Sequence, residues 1–593
     1  MILVIRATND EINEVSMLAP KYFIYMVTGP GLKPKIEISS NLRIDAAWWA
    51  AQAYRELTFF QPAQTIWVAE AVARKLRLIK RELLPKRFFK SVKRLIGEIS
   101  AIKACNYQTR LVAGLMERPT VPDGLEQYFW GKCLLGAELP ETIRAAGFEV
   151  PWNPEDWMQQ LVLEGKITRE SAVSYNTWGV PECRRCGATN GISETDCFFC
   201  GETHCLTCSN CQSLGLAKSC APLYAVPFPE QFYPPKPLQP QLDFSLTAAQ
   251  QRAYAELGDF LDTRQSTFLV WAVCGGGKTE VSFGIIAKVL AAGGRVLFAI
   301  PRKDVVRELW PRFQKAFPTV GLEALYGGSR DRAADAQLVL ATTHQCVRFY
   351  HCFDLVVLDE ADAFPYQGSE MLHHAVGRAV KATGRLVIMT ATPDRQLRVQ
   401  ATCGQLPYVS IPARFHRQPL IVPQIIKVKL RFDPGRQWEP PETIGAQLWR
   451  AKTLKRKLLI FLPTIHLIET MGTLIVQWGL SKGIYGAITH ARNKSSNRNK
   501  ELINAGQLDF LVTSTVLERG VTIRDLDVLV LYADYERVFD CRTLVQIAGR
   551  AGRYGETAQV FLCGESVTQA MQECCRWIRQ LNQEGLQLGY LDS

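Results

Sequence analysis

The sequence predicts an α/β protein in which two tandem parallel-sheet domains follow a cysteine-rich module and an α+β N-terminal domain. Three observations lead there. Short, wholly apolar runs alternate with helical stretches from Ser245 onward, eight of the eighteen cysteines crowd into Cys183 to Cys220, and a proline-spaced segment separates the two patterns. At 593 residues the chain has length for three or four such units, each with its own core.

In the N-terminal domain, 1–180, residues 1 to about 60 mix alternating stretches such as KYFIYMV with Gly-Pro punctuation, and helical patterns take over from Trp67. Within them Arg74 to Leu95 carries ten Lys or Arg against one acid, Glu82, with Phe88 and Phe89 interleaved. Such a stretch suits nucleic acid or an anionic membrane face, and equally a solvated helix face. The cysteine module is placed at 181–222. In the linker, 223–244, YAVPFPEQFYPPKPLQP has too many prolines for a helix or inner strand and predicts an extended connector.

The first parallel-sheet domain, 245–418, is read from TFLVWAV, RVLFAI, QLVLAT, DLVVLDE and GRLVIMT. The second, 419–593, is read from QIIKVKL, KLLIFLPT, LDFLVTST, DVLVLYA and AQVFLC. A net charge of +12 favours a polyanionic partner. No run of about 18 apolar residues occurs, and the N-terminus lacks the order of a secretion signal, so the expected compartment is the cytoplasm.

AVCGGGKTE, Ala272 to Glu280, lies between an apolar run and a helical stretch, where a phosphate loop belongs. Gly275, Gly276 and Gly277 free the backbone N–H groups to surround phosphates, Lys278 reaches the β and γ phosphates, and Thr279 is a Mg²⁺ ligand. Gln250, just upstream, is a further candidate contact to ATP. A Gly-rich turn without a ligand is the plain alternative. LVVLDEAD brings Asp359 to Mg²⁺ and Glu360 to the attacking water, and Asp362 with Thr390 and Thr392 of TATP is a candidate for coupling hydrolysis to domain movement. In QIAGRAGR, Gln546 joins Arg550 and Arg553, whose three-residue spacing predicts one helical face turned to the γ phosphate across an interdomain cleft. TSTVLERGVTI sets Gly520 in a turn, as a further candidate for coupling, with Thr513 and Thr515 at a nucleic-acid backbone. Thr342 and Thr343, after QLVLA, are candidates for the same contact.

CRRCG and CFFCG each present two thiolates to one ion above a glycine turn, and Cys183, Cys186, Cys197, Cys200, Cys205, Cys208, Cys211 and Cys220 suffice for two tetrahedral Zn²⁺ sites. Spacing leaves the partition open. Cys183 and Cys186 pair either with Cys208 and Cys211 or with Cys197 and Cys200, and His204 is a possible substitute for one thiolate.

The motifs GGGKT, DEAD, TATP, TSTVLERGVT and QIAGRAGR resemble those of a superfamily 2 helicase or translocase, built from two RecA-like domains. CRRCG, TCSNCQSLG, PLY, LTAAQ, TTHQCVRFY, DEADAFPY, RFHRQPLIVP and LERGVT further resemble the ComFA family of late competence proteins, ATP-driven motors of DNA uptake. The resemblance spans about 181–560. It implies ATP, Mg²⁺ and Zn²⁺ as cofactors and single-stranded DNA as track. It also implies work at the inner face of the membrane channel and a phosphoribosyltransferase-like competence protein as companion. An oligomer is compatible with it. Ala361 stands where similar motors often carry Val. Two other functions compete. In primosomal replication-restart helicases the cysteines interrupt the motor, whereas here they precede it; a nucleic-acid scaffold with a decayed ATP site sits poorly with intact Lys278, Glu360 and Arg553.

Overall fold

The computed structural model describes residues 22–29, 32–41, 44, 45, 48, 52, 56–61, 66–78, 94, 95 and 106–111. It also describes 119–592 apart from 152, 231, 328–335, 431–438, 491–495 and 515–522. Most of the basic stretch, 79–93, lies outside these residues, as do Thr515 and Gly520.

Two wholly parallel sheets form the C-terminal half. The first has the strand order Leu322–Leu325, Leu338–Thr342, Val296–Ile300, Phe353–Leu358, Val380–Thr390, Thr267–Ala272, Tyr408–Ile411. The second runs Gln424–Lys427, Val560–Gly564, Leu526–Leu531, Lys457–Phe461, Phe510–Thr513, Gly486–Thr489. Central strands such as Val296–Ile300 and Leu526–Leu531 are buried at every position, because helices cover both faces of a parallel sheet. This is why they are apolar throughout, and why catalytic side chains can be delivered only from the loops at the strand ends.

Upstream, Leu32–Ser39, Phe23–Gly29, Glu56–Gln61 and Asn106–Leu111 make a four-stranded antiparallel sheet. The helix Ile66–Leu78 lies on it, burying Ile66, Val68, Ala69, Val72 and Leu76 against Tyr22, Ile24 and Met26. The expected α+β character is present.

The cysteine module is not a separate bead. Pro222–Val226 is the central strand of a sheet flanked by Lys132–Leu135 and Thr168–Ser171, so the chain from 132 to 226 closes around the cysteines. A boundary at 181 cuts this sheet, and a linker beginning at 223 takes in its middle strand. The prolines misled. Pro222 sits at the strand's first residue, where its missing N–H is tolerated, and the remaining prolines begin only at Pro227. Beyond Val226 the chain is extended as expected, but tied down: Phe228 N donates to His351 O at 3.1 Å, Lys236 N to Ala291 O at 2.9 Å and Gln241 N to Ala316 O at 2.9 Å. Phe228 also packs beneath the Arg295 guanidinium at 4.4 Å.

Candidate active site and metal centres

The phosphate loop leaves the strand Thr267–Ala272 and enters the helix Lys278–Ala291 through Gly277, at φ 80°, with Gly275 at φ 81°. Both are left-handed positions that a side chain disfavours. Beside the loop, Thr247 caps the helix Ala248–Phe260 in a reciprocal box with Gln250. The Gln250 amide then donates to Gly276 O at 3.0 Å, so this side chain props the loop.

A cleft of about 630 Å³ opens between the two parallel-sheet domains. Gln250, Gly275, Gly276, Gly277, Lys278, Thr279, Asp359 and Glu360 line one wall; Gln546, Arg550 and Arg553 line the other. The two arginines are not on a helix. Cys541–Ala548 ends at Gly549, and Gly552 takes φ 61°, so both extend from turns; their three-residue spacing implied a helical face that the glycines abolish. They reach the cleft nonetheless.

Asp359 follows the apolar strand Phe353–Leu358 and is buried. Burial pushes its carboxyl up to about 6, against the pull of Lys278, and Glu360 N donates to Asp359 Oδ1 at 2.8 Å. Glu360 itself is held at φ 54°, a costly conformation for a non-glycine residue that re-aims its carboxylate. The buried Asp359 carboxylate and the Thr279 hydroxyl line the same wall of the cleft and are hard-oxygen donors, which fit Mg²⁺ bound together with nucleotide phosphates.

Behind the cleft, Asp362 accepts from Thr390 Oγ1 at 2.6 Å and from Thr392 Oγ1 at 2.5 Å. Gln546 Nε2, from the second domain, donates to the same carboxylate at 2.8 Å. Sequence reasoning missed two neighbours. Cys274 Sγ donates to Gln546 Oε1 at 2.9 Å, and Arg312 pairs with Glu280 at the mouth of the cleft. Cys274, directly before the glycines, was legible as part of the loop but not as an interdomain contact.

The threonines expected at nucleic acid do not present hydroxyls to solvent. Thr342 is 6%, Thr343 0% and Thr513 0% exposed, and Thr513 Oγ1 donates to Ser514 O at 3.1 Å. Thr342 and Thr513 end buried strands and Thr343 opens the helical turn after the first of them; the Thr513 hydroxyl turns back onto the backbone.

The cysteines resolve into two buried clusters, Cys183, Cys186, Cys208 and Cys211, and Cys197, Cys200, Cys205 and Cys220, with all sulfurs of a set within 4.8 Å of one another. Sulfur separations of 3.7 Å for Cys183 to Cys211 and for Cys186 to Cys208, and 3.9 Å for Cys197 to Cys220, match the edge of a tetrahedron around Zn²⁺, about 3.8 Å for Zn–S bonds of about 2.3 Å. The nested pairing is therefore the one formed. The sequential pairing fails because the hairpin of Ile192–Thr195 with Cys205–Cys208 brings the distant thiols together. His204 is exposed and contacts Glu194 at 3.2 Å, away from both clusters.

The first cluster is docked on the motor. Arg378 donates to Arg184 O at 3.1 Å and Arg185 O at 2.6 Å, and also to Val347 O and Phe349 O at 2.5 and 3.2 Å. Among the described residues no helix is long and apolar enough to cross a membrane.

Two tandem parallel-sheet domains with a phosphate loop on one side of the cleft and paired arginines on the other define a superfamily 2 helicase-type NTPase. Family models agree: residues 243–395 match the res subunit of type III restriction enzymes, 442–555 the helicase conserved C-terminal domain, and 118–225 the N-terminal domain of competence protein ComFA. The chain is 34% identical to competence protein ComFA of Bacillus subtilis, covering 75% of this chain and 95% of the relative. It is 31% identical to that of Streptococcus pneumoniae, covering 72% and 98%. This chain belongs to the ComFA family. A solved structure of S. cerevisiae Dbp5 bound to RNA and ADP BeF3 is similar at 18% identity and a TM-score of 0.42, covering 57% of this chain and 87% of that one.

Proposed function

We propose that this protein is a DNA-stimulated ATPase that translocates along single-stranded DNA and drives its uptake during natural transformation. The observation that carries the reading is the single cleft in which Lys278, Thr279, Asp359 and Glu360 face Arg550 and Arg553. In this reading Gly275 to Gly277 and Lys278 hold the ATP phosphates, and Thr279 and Asp359 hold Mg²⁺, which neutralises charge developing on them. Glu360 orients the attacking water and accepts its proton. Arg550 and Arg553 approach the γ phosphate when the domains close, and the bonds of Asp362 to Thr390, Thr392 and Gln546 pass that closure to the second domain. Contacts to the strand come from backbone groups near Thr342, Thr343 and Thr513 and from Thr515, and Gly520 belongs with the coupling residues.

Zn²⁺ at both cysteine clusters holds the 132–226 region rigid against the first motor domain. Family membership supports work in the cytoplasm at the membrane channel, beside a phosphoribosyltransferase-like competence protein.

ATP hydrolysis measured with single-stranded DNA, duplex DNA and RNA tests the reading. Single-stranded DNA is expected to stimulate most, and Lys278→Ala to abolish the stimulation. Stronger stimulation by RNA overturns the choice of track, and hydrolysis unaffected by Lys278→Ala overturns the site.

A further inference from the structure

Arg414 lies three residues beyond the last-numbered strand of the first parallel sheet, Tyr408–Ile411, in the connector that leads to the second. It is 2% exposed, and every bond the structure gives it runs to a backbone carbonyl. Nε donates to Cys274 O of the phosphate loop at 3.0 Å. Nη1 donates to Ala551 O at 2.9 Å and Gly552 O at 2.7 Å, and Nη2 donates to Gly549 O at 2.7 Å.

A buried guanidinium with carbonyl partners is costly unless those carbonyls are themselves in need of donors. Those of Gly549 and Ala551 are: they follow the end of the helix Cys541–Ala548, beyond its intrahelical ladder and where the dipole is negative, while Gly552 O also accepts from Gly555 N at 3.4 Å. Burial lowers the guanidinium's pKa to about 10, which leaves it charged near neutrality. The seam it spans is tight: a Cβ on Gly549 would lie 2.7 Å from Cys274 Cβ. One on Gly275 would lie 3.6 Å from Arg553 Nε and 3.8 Å from Arg414 Nε.

From this geometry we infer that Arg414 is a positioning residue for hydrolysis: a clamp in the connector that joins the phosphate loop to the turns carrying Arg550 and Arg553 and so sets how those arginines meet the γ phosphate. The inference rests on the ATPase reading above. Arg414 touches neither nucleotide nor reacting atoms. It acts by holding two backbone segments from opposite domains on one planar fork, a geometry an ammonium cannot reproduce.

The consequence is a split between binding and turnover. The phosphate loop belongs wholly to the first domain, so nucleotide affinity survives loss of the clamp, whereas the arginines lose their register. DNA-stimulated hydrolysis and the affinity of a fluorescent ATP analogue are to be measured for the full chain, Arg414→Ala and Arg414→Lys. Both variants are expected to lower kcat by roughly tenfold or more while changing affinity and KM less than about threefold. A retained kcat overturns the inference, as does a parallel loss of affinity. Should Arg414→Ala not fold, Gly549→Ala forces the same seam apart with Arg414 intact, and the same split is expected and the same outcomes count against it. A wild-type protein without hydrolysis, or Lys278→Ala with normal hydrolysis, would instead sink the ATPase reading itself.

Discussion

Gln546 Nε2 donates to Asp362 Oδ2 at 2.8 Å, joining the second domain to the carboxylate that also receives the hydroxyls of Thr390 and Thr392. One acid thus gathers three donors from two motifs, TATP in the first domain and QIAGRAGR in the second. Because the group is buried, each donor matters: an unpaired buried amide or carboxylate costs about 1–3 kcal/mol.

Gln546→Ala removes the interdomain member while leaving the phosphate loop intact. Hydrolysis is expected to lose most of its DNA stimulation, roughly tenfold, with little change in nucleotide affinity. Asp362→Asn is expected to do the same, and the double variant to be no worse than either alone, since the two share one bond. Steady-state kinetics with and without single-stranded DNA check all three. Additive losses would separate the residues.

A second buried carboxyl joins the N-terminal sheet to the region that follows it. Asp45 accepts from Ser39 Oγ at 2.6 Å, Tyr25 OH at 2.5 Å and Gln159 Nε2 at 2.7 Å, the last from the helix Pro154–Leu163. Complete burial pushes its carboxyl from 3.8 to about 7, while those hydrogen bonds and the positive charge of Arg169 pull it down. A group raised on folding contributes stability that is whole below its unfolded value and lost as pH climbs through its folded value. The contact is therefore expected to weaken from about pH 4 to about pH 7 and to change little above that. Asp45→Asn should remove that pH dependence and stabilise the protein at pH 8 by about 1–3 kcal/mol. Thermal unfolding at about pH 4, 5.5 and 7 gives the answer, and a variant that keeps the wild-type slope contradicts it.

The docking of the first cysteine cluster can be broken from either side. Gly187 sits at φ 72°, and a Cβ there would lie 2.3 Å from His374 Nδ1 and 2.9 Å from its Cβ, so Gly187→Ala both strains the turn and pushes the module off the motor. Arg378→Ala deletes the donor to Arg184 O and Arg185 O without touching the cysteines. Each is expected to cost about 1–3 kcal/mol at the interface. Hydrogen exchange across 181–221 should rise in both variants with zinc content unchanged. Unchanged exchange in Arg378→Ala would mean that the aromatic packing around Phe228 suffices to hold the module.

The apolar strands were legible because a central parallel strand is buried on both faces, which leaves no polar position to confuse the pattern. Two edge strands were not. Leu322–Leu325 and Gly486–Thr489 are four residues each, only partly buried, and carry no such run. The phosphate loop, Asp359 and Glu360 were legible as motifs, since loop chemistry is local, and they line one cleft. What escaped was distant in sequence: the clamp of Arg414, the thiol of Cys274 against Gln546, and the sheet that encloses the cysteines. The spacing of Arg550 and Arg553 suggested a helix although Gly549 and Gly552 end it. Hydroxyl residues at strand ends were assigned to nucleic acid although three of them are buried.

The zinc partition was beyond spacing for a reason that also yields a test. Cys205 and Cys208 lie in one strand three residues apart, and side chains alternate along a strand, so the two thiols leave on opposite faces. Cys205 joins the Cys197 cluster and Cys208 the Cys183 cluster, each strand end closing a different site. Single substitutions should therefore release zinc one ion at a time. The wild-type chain is expected to bind about two equivalents, and Cys208→Ser and Cys205→Ser about one each. In Cys208→Ser the surviving ion is held by Cys197, Cys200, Cys205 and Cys220, outside the Cys183–Cys186 knuckle whose carbonyls Arg378 binds. Only this variant should loosen the Arg184 and Arg185 carbonyls and expose 181–191 to protease, whereas Cys205→Ser should leave the docked knuckle protected. Zinc content by elemental analysis, paired with protease mapping, distinguishes this from a shared site. A loss of both ions from either single variant would show the two clusters to be one cooperative unit.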